Sequence, residues 1–274
     1  MIRNLIHLSL RTDIMSVALP EEGLEGVRVL VTGASRGIGA AAVARFAAAG
    51  AQVIGTSRSL PAETQANVSY LTADLSTDEG AANLAAEVIE RWGGVDVLVD
   101  NAGAGTTPGP ILERADESWL EDLTVNLMSA VRLDRRLVPG MVERGKGVVV
   151  HLSSIASRLA QGQQIAYAAA KSALNAYSRG LAAEVGPHGV RVVNVLPGFV
   201  ATEGALAQHQ RFADVRGVEL EQFQKDLAAQ LNVPMRRPGT PEDAAELIVF
   251  LASERAKWLT GAEFRVDGGI LPTI

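Results

Sequence analysis

The chain predicts an α/β fold: one domain on a doubly wound parallel sheet, with helices on both faces. Three observations carry this expectation. Short β-type runs alternate with helix-patterned segments almost to the C-terminus. The β-type runs lack polar alternation, so they read as strands buried on both faces, as in a parallel sheet covered by helices. A glycine-rich turn, Thr32-Gly33-Ala34-Ser35-Arg36-Gly37-Ile38-Gly39, joins the first strand to the first helix, which is where a Rossmann-like sheet binds its ligand.

The elements follow in order. Val27–Thr32 is an apolar run stopped by Gly33, and Ala40–Ala49 is an alanine-rich helix closed by Gly50. Gln52–Thr56 and Val68–Thr72 read as strands, and Thr77–Arg91 as a helix with Gly93-Gly94 as its stop signal. Val95–Val99 is a buried strand. Glu117–Glu143 has helical spacing, with an end expected near Pro139-Gly140. Val148–Leu152 is an apolar strand rich in β-branched residues, Gln163–Val185 a helix closed by Gly186-Pro187, and Val190–Leu196 a strand stopped by Pro197-Gly198. Glu242–Ala252 is helical and Glu263–Val266 a last strand. Thr202–Arg237 breaks the rhythm just after a strand end, the place for a lid (202–237). Its Leu206, Phe212, Val215, Leu220, Phe223 and Leu227 suit either an apolar cover or an ordinary amphipathic core.

Composition narrows the function. With 47% hydrophobic and 20% charged residues in 274, the chain reads as globular. A net charge of −6, 4% aromatics and no Lys/Arg stripe argue against a nucleic-acid partner. The absence of cysteine removes disulfides, thiolate catalysis and thiolate metal sites, and fits a reducing cytoplasm. His7, His151, His188 and His209 are scattered without ligand spacing, so no metal is expected unless the fold gathers ligands from afar. Polar residues interrupt the apolar residues of 1–23, which argues against a membrane span or a secretory leader. That stretch reads as a poorly packed extension before a single folded domain at 24–274.

Gly33, Gly37 and Gly39 allow a tight turn in which backbone N–H groups and the helix N-terminus meet a pyrophosphate. No Gly-Lys-Ser/Thr follows, so the turn is not a mononucleotide P-loop. The end of the second strand discriminates between cofactors: NAD(H) wants a carboxylate there and NADP(H) wants cations. Here stand Ser57 and Arg58, with Arg36 inside the turn. Two guanidiniums and a hydroxyl suit a 2′-phosphate, so NADP(H) is favoured over NAD(H), although both arginines could equally be solvated.

Ser154, Tyr167 and Lys171 form the chemical constellation. Lys171 follows Tyr167 by four residues, so both side chains share a helix face. A carbonyl that accepts hydride needs a nearby proton donor. A phenol titrates near 10, but an ammonium about 4 Å away would contribute about 4 kcal/mol and draw it toward neutrality. Ser154, at the end of a strand, could hydrogen-bond the substrate oxygen. Asn126 is a poor interior helix former placed within a helical pattern.

From about Leu24 to Gly269 this pattern resembles the short-chain dehydrogenase/reductase family, and within it the 3-oxoacyl-carrier-protein reductases. The resemblance rests on the Thr32–Gly39 turn, Asp74, Asn101-Ala102-Gly103, Asn126, Ser154, Tyr167, Lys171, Pro197-Gly198 with Thr202, and Asp267-Gly268-Gly269. One departure is Asp100, where many members carry Asn. The resemblance implies an oxidoreductase that interconverts a ketone and a secondary alcohol, with Asn126, Ser154, Tyr167 and Lys171 as the catalytic set. It implies that Asp74, beside Leu75, contacts adenine and that Asn101 supports the cofactor ribose. It further implies that Pro197, Gly198, Val200 and Thr202 line the nicotinamide, that Lys171 also holds a ribose, and that Asn126 distorts its helix and holds a water linked to the lysine. Asp74 could instead cap the next helix, and Asn101-Ala102-Gly103 could serve as a turn. The expected partners are a small-molecule carbonyl or alcohol and further copies of the chain, as a dimer or tetramer. Two other readings stay open: a nucleotide-binding regulator without catalysis, and a dehydratase or epimerase on the same fold.

Overall fold

The computed structural model describes residues 22–65, 67–105, 109–160 and 164–272. Seven parallel strands form one sheet: β1 (Arg28–Thr32), β2 (Gln52–Ser57), β3 (Val68–Thr72), β4 (Val97–Asp100), β5 (Gly147–Leu152), β6 (Val190–Pro197) and β7 (Glu263–Val266). Their order is β3-β2-β1-β4-β5-β6-β7, so the winding reverses between β1 and β4. Loops leaving those two strands diverge, which opens a crevice at their carboxyl ends.

Alternation along each strand sorts the core into two layers. Val29, Val31, Val97, Val99, Val148 and Val150 face one side, where Phe46 of α1 (Gly37–Ala48) and Ile248 of α8 (Pro241–Ala252) cover them. Leu30, Leu98, Val149 and Val192 face the other. There they meet Val88 of α2 (Asp78–Trp92), Leu133 and Met141 of α4 (Ser129–Arg144), and Ala182 of α5 (Ile165–Val185). β4 and β5 are buried at every position, so the sequence shows no polar alternation there.

Helix ends follow local chemistry. Thr77 accepts from the Gly80 N–H at 3.0 Å to cap α2. Thr240 and Asp243 form a reciprocal capping box on α8. Arg28 grips Asp96 through Nε at 2.8 Å and Nη2 at 2.6 Å, and reaches the Trp92 carbonyl at 2.5 Å, tying β1 to the turn before β4.

Two expectations change, the end of one helix and the start of the packed chain. The helix at 117–143 does not stop near Pro139. It comprises α3 (Asp116–Leu123), a π-helical turn (Thr124–Met128) and α4, which runs on to a left-handed Gly145. Burial of Leu137, Val138 and Met141 offsets the bond lost at Pro139, a cost of about 3 kcal/mol. The segment 202–237 carries two helices, α6 (Glu203–Arg216) and α7 (Leu220–Gln230). His209 and Phe223 are buried between them, while Phe212 and Val215 are exposed. Glu22 pairs with Arg45, and its carbonyl accepts from the Glu254 N–H at 3.2 Å, so packing begins before Leu24. Most of the extension, 1–21, lies outside the described residues, as do the 163 start of the fifth helix and the last two residues of the chain.

Gly39 is a packing position. A Cβ there would lie 2.2 Å from the Gly33 carbonyl oxygen and 2.5 Å from Asn101 Nδ2. Gly39→Ala is therefore expected to cost about 1–3 kcal/mol even in cofactor-free protein. Denaturant unfolding without nucleotide measures it, and wild-type stability would refute the packing role.

Candidate active site

The crevice at the β1/β4 reversal is a cleft of about 1040 Å³. Its floor at one end is the glycine turn. Gly33, Ser35, Arg36, Gly37 and Ile38 line it, whereas Gly39 lies behind it as the contact between helix and turn. Gly33 and Gly37 sit at φ +65° and +58°, which L side chains rarely adopt. The first N–H of α1, on Gly37, donates to Glu203 Oε2 at 2.7 Å. That carboxylate occupies the anion position expected at a helix N-terminus. Glu203 was not singled out from the sequence, because it lies 166 residues from Gly37.

Ser57, Arg58, Asp74 and Leu75 line the adjoining wall. Ser57 Oγ donates to the Ser59 carbonyl at 2.5 Å. Asp74 Oδ1 accepts from Ser76 N at 3.0 Å and Ser76 Oγ at 2.7 Å. These bonds, with the nearby Arg58 charge, hold the Asp74 carboxyl below its ordinary range. Asp74 thus shapes the turn before α2, while Thr77 is the cap, so the helix-cap alternative for Asp74 is set aside.

Asn101, Ala102 and Gly103 cross the middle of the cleft. The Asn101 amide donates to the carbonyls of Thr32 at 2.8 Å and Gly33 at 3.2 Å. The Ala102 N–H donates to Thr32 Oγ1 at 2.8 Å. Asn101 therefore spends its donors on fixing the glycine turn to β4. Pro197, Gly198, Val200 and Thr202 line the far side, and Thr202 Oγ1 caps α6.

Asn126, Ser154, Tyr167 and Lys171 converge on the cleft. Asn126 sits in the π-turn, and its side chain clamps Ala104, donating to the carbonyl at 3.1 Å and accepting from the N–H at 3.2 Å. An extra residue per turn swings this side chain out of the ordinary helical row. Ser154 follows β5 and caps a short 3-10 turn, its Oγ accepting from Ala156 N at 3.1 Å. Tyr167 and Lys171 are one turn apart on α5, with Nζ 5.8 Å from the phenol ring centroid. Lys171 is 3% exposed and donates to the Leu152 carbonyl at 2.7 Å.

The electrostatics differ from the sequence-based expectation. Burial pushes the Tyr167 phenol above its ordinary value; a hydrogen bond with Ser154 acts the other way, and the Asp122 charge pushes it further up. Lys171 does not draw it down, because burial lowers the lysine itself to about 8 and its ammonium is turned to a backbone carbonyl. The phenol here is a protonated acid at neutral pH.

Below the cleft the fold gathers Asp100, Asp134 and His151, with one ligand-type atom from each lying within 4.8 Å of the others. Residue spacing alone did not reveal this grouping. No helix among the described residues is long and apolar enough to cross a membrane.

Known proteins are similar to this chain over most of its length. Residues 33–271 match the family model described as enoyl-(acyl carrier protein) reductase. A 3-oxoacyl-[acyl-carrier-protein] reductase of Vibrio cholerae is 34% identical over 90% of this chain and 98% of its own length. A short-chain reductase protein of Streptomyces niveus is 35% identical over 92% of this chain and 95% of its own. The crystal structure of L-sorbose reductase from Gluconobacter frateurii, complexed with NADPH and L-sorbose, superposes with a TM-score of 0.87. It is 32% identical and covers 93% of this chain and all of its own. With a doubly wound sheet, a glycine turn at its switch point and relatives matched nearly end to end, the chain belongs to the short-chain dehydrogenase/reductase family of oxidoreductases.

Proposed function

We propose that the protein is an NADP(H)-dependent oxidoreductase that interconverts a ketone and a secondary alcohol. The observation that carries the reading is the convergence of Ser154, Tyr167 and buried Lys171 on the cleft whose other end is the glycine turn. The residues present fit a dinucleotide: a helix N-terminus whose N–H already holds an anion, and Arg36 and Arg58 beside Ser57 for a 2′-phosphate. Bound NADPH supplies a hydride to the carbonyl carbon.

The chain's own residues do the rest. Ser154 orients the carbonyl oxygen by donating a hydrogen bond from its hydroxyl. Tyr167, kept protonated by burial, gives its phenolic proton to that oxygen as negative charge develops. Lys171 presents an ammonium to this wall and to the cofactor ribose. Asn126 holds the Ala104 loop against the lysine. In the reverse direction the phenolate accepts the alcohol proton. The likeness to 3-oxoacyl-carrier-protein reductases and to L-sorbose reductase directs the substrate search to β-ketoacyl thioesters and keto sugars.

The reading extends to architecture. Residues 24–274 form the catalytic domain, with α6 and α7 as its lid, in a cytoplasmic homo-oligomer (dimer or tetramer) paired through α4 and α5.

Three outcomes are expected. In Tyr167→Phe, NADPH oxidation on a substrate that wild type reduces should fall by about 10²-fold or more. Undiminished turnover would remove the acid from the scheme. In Arg58→Ala, KM for NADPH should rise about tenfold with KM for NADH nearly unchanged, as for a lost charge-assisted contact; equal effects on both cofactors would overturn the assignment of NADP(H). Glu203→Gln should bind NADPH about two- to fivefold more tightly, because the native carboxylate competes for the α1 N-terminus. Fluorescence titration reads this, and weaker binding would make Glu203 a cofactor-supporting group instead.

A further inference from the structure

Beneath the reacting groups lies a buried cluster that the reaction scheme does not use. Asp100 and His151 are register partners on β4 and β5. They continue the Leu98 and Val149 row, so both side chains point to the face covered by α4 and α5. Asp134 reaches them from α4. His151 Nε2 lies 3.0 Å from Asp134 Oδ2 and 3.7 Å from Asp100 Oδ2. The three side chains are 0–4% exposed. Asp100 Oδ2, Asp134 Oδ1 and His151 Nδ1 have no hydrogen-bond partner among the described residues. Two carboxyls and an imidazole are costly to take out of water, and an apolar trio would pack more cheaply.

The residue that gains from them is Lys171. Its ammonium is buried, and it is anchored on the carbonyl of Leu152, the neighbour of His151. Asp100 is the charge that favours the ammonium against burial. In turn, burial and the Asp134 charge push the Asp100 carboxyl well above the ordinary carboxylate range, and Lys171 pulls it back. Proton counting reconciles these two effects. With a neutral imidazole donating to an ionised Asp134 and a proton on Asp100, the cluster carries one negative charge. With the proton moved from Asp100 to His151 the sum is the same, but Asp100, the group that favours the ammonium, is then ionised.

We propose that Asp100, His151 and Asp134 are positioning residues that share protons and hold Lys171 as an ammonium at the cleft wall. The proposal rests on the catalytic reading of Lys171. Other groups facing this region are Tyr167, Tyr177 and Glu184 on α5 and Asp122 on α3, which pairs with Arg114 at 3.6 Å. The Tyr177 ring lies 5.8 Å from that of His151 and stays protonated, raised by burial and by Asp134.

The test reads Lys171 without turnover. The chain has four lysines, so ¹³C/¹⁵N-lysine NMR resolves four side-chain signals, with Lys171 assigned through Lys171→Arg. Wild-type Lys171 is expected to titrate near 8. Asp100→Asn should lower the midpoint by about half a pH unit or more, since the group that favours the ammonium can no longer ionise. His151→Gln should lower it too, because Asp100 then keeps its proton. Asp134→Asn should raise it, because Asp100 loses its like-charged neighbour and ionises more readily. If Asp100→Asn does not fold, the opposed signs of the other two variants carry the test. Movement of all folded variants in one direction, or no movement, would overturn the proposal. So would a stoichiometric divalent ion retained by the purified protein, since a cation would take up the charge. A wild type inactive on every carbonyl would sink the proposed function and leave this titration standing. Where activity is found, the basic limb of its pH profile should move with the Lys171 midpoint.

Discussion

The cleft depends on a small set of hydrogen bonds across the β1/β4 reversal. Diverging loops at a topological switch open a crevice, but they do not by themselves form a rigid one. Rigidity comes from Asn101, whose amide bridges the Thr32 and Gly33 carbonyls, and from Ala102, whose N–H meets Thr32 Oγ1. These contacts bind the strand that carries the glycine turn to the loop that approaches Lys171 and Asn126. Gly39 completes the lock from behind by letting α1 come within backbone distance of Gly33. The two ends of the cleft are therefore mechanically one piece.

Burial governs the chemical end. Removal from water raises a phenol and lowers an amine, and both effects act on α5 at Tyr167 and Lys171. The pair does not follow the simple arithmetic of an ammonium beside a phenol, because the lysine spends its hydrogen bond on Leu152 and its charge is partly unstable in place. The buried acid cluster around His151, the chain neighbour of Leu152, is the natural source of compensation. Asp100, the charge that favours the ammonium, is where the compensation enters.

Much of the fold is legible along the chain. β4 and β5 are buried at every position, and their apolar runs Val97–Val99 and Val148–Val150 say so, with Asp100 and His151 as the buried exceptions. Stops at Gly50, Gly93 and Pro197 mark real ends. Pro139 misleads because the burial of Leu137, Val138 and Met141 outweighs a local preference. The π-turn at Asn126 has only a weak sequence signal, a polar residue with poor helix propensity. Glu203 at Gly37, and Asp100 with His151 and Asp134, have none, since their partners lie far away in sequence and meet only once the sheet has assembled.

By itself the amino-acid order determined the parallel sheet, the glycine turn and the i, i+4 relation of Tyr167 and Lys171. Each of these depends on local periodicity or on backbone freedom. Tertiary structure alone decided which hydrogen bonds those residues make, which carboxylate meets the α1 N-terminus, and how far Tyr167 and Lys171 depart from their ordinary acidities. Those properties depend on distance and on exclusion of water, and neither exists until β1, β4, β5 and α5 are packed together.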